Sequence, residues 1–151
     1  MKISASIYSD KKTEDIQVTI DNLNNSHVDM IHVDCNDDLN VFFDIEKIQN
    51  SSHIPIDLHI ITSDARRFYP ALEKFEIEYV TFQYEDLENK KLDIPKEFTG
   101  QLGLSITSNK CISVFEDYKD AYIEDLGSTN GTKVNEKNSL ISTELPMPKY
   151  S

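Results

Sequence analysis

Ile31-His32-Val33-Asp34 and, roughly twenty-five residues further on, Ile56-Asp57-Leu58-His59 decide how this chain is read. Each closes a short run rich in β-forming residues, and strand side chains alternate between faces, so His32 and Asp34 share one face of a predicted strand. Similar runs recur at Lys2–Ile7, Val28–Asp34, Ile56–Ile61, Tyr79–Tyr84 and Gln101–Thr107, with a weaker sixth at Ala121–Glu124. Longer polar segments with helical periodicity separate them, which predicts parallel strands joined by crossover helices. Thr13-Glu14-Asp15-Ile16 opens one helix, with Ile16, Val18, Ile20 and Leu23 as a partial apolar face. Asp64 or Ser63 caps a second, along which Phe68, Leu72 and Phe75 recur at helical spacing. Glu85–Phe98, interrupted by Pro95, reads as a short helix and a loop.

The 151 residues carry 15 Lys+Arg against 27 Asp+Glu, a net charge of −12, which argues against nucleic acid or an anionic membrane as partner. Phosphate remains open, because backbone amides hold it without net positive charge. No apolar run of the ~18 residues that a membrane span needs is present, and the first residues lack a secretory pattern. With two cysteines, Cys35 and Cys111, no disulfide framework is implied, and the expected setting is cytoplasmic.

Ligands collect at the carboxyl ends of parallel strands, where His32, Asp34 and His59 stand. Two imidazoles and a carboxylate there suit a divalent metal or proton transfer, whereas each histidine taken singly reads as structural. Arg66-Arg67 could meet a phosphate or form a solvated face, and Cys111 reads as a structural thiol.

Several of these segments resemble the ribulose-phosphate 3-epimerase family. Lys2-Ile3-Ser4-Ala5-Ser6-Ile7-Tyr8-Ser9 looks like its first strand, Asp29-Met30-Ile31-His32-Val33-Asp34 like its second, and Pro55-Ile56-Asp57-Leu58-His59 like its third. Asp64–Phe75 with Glu78–Gln83, and then Leu102-Gly103-Leu104-Ser105-Ile106, fall where the next units stand. The resemblance implies an α/β fold of the (β/α)-barrel type and a metal (Zn, Fe, Mn or Co) held by His32, Asp34, His59 and a late-strand Asp. It also implies Ser6 beside a phosphorylated sugar substrate and Asp34 as one of two groups that move a proton next to the ketopentose carbonyl.

The chain departs from that pattern at Ala5, at Cys35-Asn36-Asp37-Asp38, at Ile61 and at Gln83, which replaces a fourth-strand histidine. Barrels of this kind take about 200 residues or more, so the expectation is an incomplete barrel of five to six βα units over 1–126. Its open edges would be covered by a second copy or by the tail. Asp120, Glu124 and Asp125 are the candidates for the second acid. A non-catalytic binding or assembly protein is the competing expectation. Residues 127–151 read as an irregular tail. There Tyr122–Asn135 resembles the closing motif of forkhead-associated domains, whose implied partner is a phosphothreonine peptide, while an Asn130-Gly131 turn explains the same residues without a ligand.

Overall fold

The computed structural model describes residues 1–9, 15–106 and, as strand backbone, 122–124. The elements run β1 (Ser4–Ser6), α1 (Ile16–Asn24), β2 (Met30–Asn36), α2 (Val41–Ser51), β3 (Ile56–Ile61), a 3-10 turn (Ala65–Phe68) leading into α3 (Tyr69–Lys74), β4 (Tyr79–Gln83), β5 (Gln101–Ser105) and β6 (Tyr122–Glu124). All six strands are parallel and lie in chain order, β1-β2-β3-β4-β5-β6. This sequential order is the one a (β/α) barrel builds, and the fold is α/β of incomplete TIM-barrel type. The expected irregular tail at 127–151 lies outside the described residues.

Strand alternation sorts the chemistry. Ile31, Val33, Cys35, Ile56, Leu58, Ile60, Val80, Phe82 and Leu104 are buried beneath the helices. Ile20 of α1, Phe42, Ile45 and Ile48 of α2, and Phe68 and Leu72 around α3 complete that core. The opposite face carries the polar members of the same strands. Register places Ser6 beside His32, His32 beside Asp57, and Asp34 beside His59 and then Thr81. One face therefore holds the molecule together and leaves the other free for chemistry.

The differences from the sequence reading have physical causes. Asp15 caps α1, its carboxylate accepting from the Gln17 N–H at 2.9 Å, while Thr13 lies outside the described residues. Val18 stays 47% exposed, so the buried stripe of α1 is Ile20 with Ile16 and Leu23 partly covered. A further helix, α2, joins β2 to β3; Val41, Phe42, Ile45 and Ile48 are its buried residues, one stripe at helical spacing.

The helix expected within Glu85–Phe98 is absent: residues 84–100 contain only turns and irregular backbone. Leu87, Leu92, Ile94 and Phe98, which pack on the core, are spaced too unevenly to form one helical stripe. The Lys90 ammonium instead ties down the Tyr84 carbonyl at 2.6 Å, and the Glu88 N–H donates to the Ser63 carbonyl at 3.0 Å. The segment so covers the sheet where a crossover helix would otherwise lie. It ends at Gly100, where a Cβ would collide with the Ile77 carbonyl and the Phe98 ring.

Candidate metal centre

His32 and Asp34 stand on the free face of β2, and His59 is Asp34's neighbour on β3. His32 Nε2 lies 3.1 Å from Asp34 Oδ1, and His59 Nδ1 lies 3.5 Å from the same oxygen. One ligand atom from each of the three falls within a sphere where all lie within 4.8 Å of one another. The two rings are tilted at 44° with centroids 6.2 Å apart. Asp34 has a side chain 52% exposed, whereas those of His32 and His59 are 18% and 9% exposed. Firmly seated imidazoles and an accessible carboxylate thus meet at one point.

The setting of His32 rests on Asp57, which the sequence reading quoted without giving it a role. The Asp57 carboxylate, with 5% of its side chain exposed, accepts from His32 Nδ1–H at 2.8 Å and from the Ser4 hydroxyl at 3.0 Å. This bond, which outweighs burial of the ring, together with the charges of Asp57 and Asp34, raises the His32 pKa from its ordinary 6.5 to about 9. A carboxylate behind a histidine also fixes the ring with Nε2 forward, a common support for metal ligands. The signal in the sequence was period two: Asp57 precedes His59 as His32 precedes Asp34, so all four share a face.

On the far side of His59, its Nε2 is 3.1 Å from Gln83 Oε1 and 3.2 Å from Ser105 Oγ. Ser105, fully buried, donates to Gln83 Oε1 at 2.8 Å, and Gln83 Nε2 donates to Glu85 at 2.8 Å. These supports come from β4 and β5. Gln83 was noted in the sequence only as a departure, and Ser105 was not singled out as a site residue.

Residues 2–120 match the family model described as ribulose-phosphate 3 epimerase family. The chain belongs to the ribulose-phosphate 3-epimerase family. A comparison with curated proteins returns no match. An epimerase-like role in sugar-phosphate chemistry follows at the level of the family, and the donor set suits a borderline divalent metal, since two imidazoles and a carboxylate are ligands of that class.

Ser6 closes β1, paired in register with His32. The Arg67 guanidinium holds Asp37 at 2.7 Å, and Arg66 faces Asp93 at 3.6 Å. Asp37 has a φ of 54°. Its N–H bonds the Ile61 carbonyl at 2.8 Å and its carboxylate accepts from Thr62 at 2.7 Å, contacts that hold the left-handed conformation, which Asp tolerates better than most residues. Cys35 is a buried free thiol. Glu124 belongs to β6, whose backbone pairs it with Ser105; Asp120, Asp125, Cys111 and the part of the Tyr122–Asn135 motif beyond Glu124 lie outside the described residues. No helix among the described residues is long and apolar enough to cross a membrane.

Proposed function

We propose that the chain holds one divalent metal through His32 Nε2, Asp34 and His59 Nδ1 and epimerises a ketopentose phosphate, with Asp34 as the proton acceptor. The observation that carries this reading is the convergence of those three donors on one point at the free face of β2 and β3. A metal bound there would supply positive charge beside the substrate carbonyl and make the adjacent C–H more acidic. Asp34 is the exposed member of the set, so its second oxygen is the one open to a substrate. Its carboxylate takes the proton from the carbon next to the carbonyl, and the electron pair moves onto the carbonyl oxygen. Inversion is completed when a proton is delivered to the opposite face of that carbon; Asp120, Glu124 and Asp125 are the candidate donors. Ser6, next to His32 in register, lies on the substrate side of β1 in this reading.

A second reading, metal binding without turnover, is favoured by one feature. Among the described residues, the two other carboxylates joined to the centre are already engaged in hydrogen bonds, Asp57 with His32 and Ser4 and Glu85 with Gln83. One experiment separates the two. Metal is quantified in protein purified without added metal, and conversion of ribulose 5-phosphate to xylulose 5-phosphate is followed for the wild type and D34N. Stoichiometric metal with turnover lost in D34N supports epimerisation. Metal without turnover in the wild type supports the second reading, and neither metal nor turnover refutes both.

A further inference from the structure

We infer that Gln83 is a positioning residue that fixes which nitrogen of His59 faces Asp34. Its purpose rests on the metal-binding reading above, while its content rests on the hydrogen bonds alone.

Glu85 sets the direction of the amide, because a carboxylate can only accept. Gln83 Nε2 lies 2.8 Å from Glu85 Oε2, so the amide turns its NH2 end toward Glu85. Its carbonyl end must then face β3 and β5. There Oε1 accepts the Ser105 hydroxyl at 2.8 Å, a contact that fits the orientation set by Glu85. The same Oε1 is 3.1 Å from His59 Nε2. A carbonyl oxygen offers no proton, so the proton in that contact belongs to His59 Nε2. Ser105 Oγ, its own hydrogen turned to Gln83, is an acceptor for the same N–H at 3.2 Å.

Neutral imidazole carries one N–H, so Nδ1 is left with its lone pair. Nδ1 is the atom 3.5 Å from Asp34 Oδ1. A lone pair and a carboxylate oxygen held at that separation repel each other unless a cation lies between them. His32 shows the mirror arrangement: Asp57 takes Nδ1–H and Nε2 faces Asp34. Each ring is thus anchored from behind through one nitrogen and presents the other to the same oxygen. Around His59, the neutral amide keeps one accepting and one donating end at any ordinary pH, so the lock does not depend on its own ionisation.

The test uses the full chain with 15N-labelled histidine. In metal-free protein, taken to a pH at which His59 is neutral, long-range 1H–15N spectra are expected to show the Nε2–H tautomer of His59. In protein loaded with 113Cd, the metal is expected to couple to His59 Nδ1. In Q83L, the single tautomer is expected to be lost and zinc affinity to fall about ten- to a hundredfold, the usual cost of removing an outer partner. A wild-type His59 carrying its proton on Nδ1 would overturn the inference without need of any variant, as would an unchanged tautomer and zinc affinity in a folded Q83L. If the wild type binds no zinc or cadmium yet loses the tautomer in Q83L, the metal reading fails and the role of Gln83 stands.

Discussion

Replacing Asp57 with Asn removes one negative charge from behind His32 and changes almost nothing in shape. Asp57 is the largest single cause of the raised His32 pKa, through a 2.8 Å bond at a carboxylate with 5% exposure. In metal-free protein a folded-state pKa of about 9 against an ordinary 6.5 means that folding favours the protonated ring. The stabilisation is therefore complete below about pH 6 and lost as pH rises through 9. A shift of that size corresponds to about 3 kcal/mol in a dry site, and screening at a partly exposed ring reduces it to about 2 kcal/mol. The assay is urea unfolding of chelator-treated wild type and D57N at pH 6 and pH 9.5, alongside an NMR titration of His32. Wild type is expected to lose about 2 kcal/mol more than D57N between the two pH values, and the His32 titration is expected to fall toward the ordinary value in the variant. Equal losses in both proteins, with His32 titrating alike, would refute the reasoning.

Three further expectations concern the scaffold. Ile45 of α2 is fully buried in the core, so I45A is expected to cost about 2–5 kcal/mol in denaturant unfolding, with the upper half of that range if the cavity does not collapse. Thr62 and Arg67 hold Asp37 below its ordinary pKa, so its contribution to stability is present above about pH 4 and declines as acid protonates it; D37N is expected to flatten that part of the acid-unfolding curve while leaving the neutral limb parallel to wild type. G100A forces a methyl against the Ile77 carbonyl and the Phe98 ring, and thermal unfolding is expected to show a Tm several degrees lower; a Tm equal to wild type would show that the 84–100 segment gives way without cost.

Much of the scaffold was legible because it is written in local periodicity. Strand side chains alternate by geometry, so the apolar members of Ile31-His32-Val33-Asp34 and Ile56-Asp57-Leu58-His59 announce a buried face, and the histidines and carboxylates must share the other. Val41, Phe42, Ile45 and Ile48 carry an equally local signal for α2, which the reading from strand spacing passed over. Glu85–Phe98 misled because charged, helix-compatible residues outnumber its breakers. Its conformation is set by a lysine reaching back to a carbonyl and by core contacts from distant strands.

The sequence alone determined that the chain is a parallel α/β protein with His32, Asp34 and His59 at strand ends, since residue type and period two depend only on neighbours along the chain. Only the tertiary structure decided which nitrogen each histidine presents and what stands behind it. Those choices belong to Asp57, Gln83, Ser105 and Glu85, where β2 through β5 and the turn beyond β4 meet through hydrogen bonds that span more than twenty residues of sequence in most cases. A hydrogen bond has direction as well as partners, and direction is fixed only when strand register brings donor and acceptor face to face.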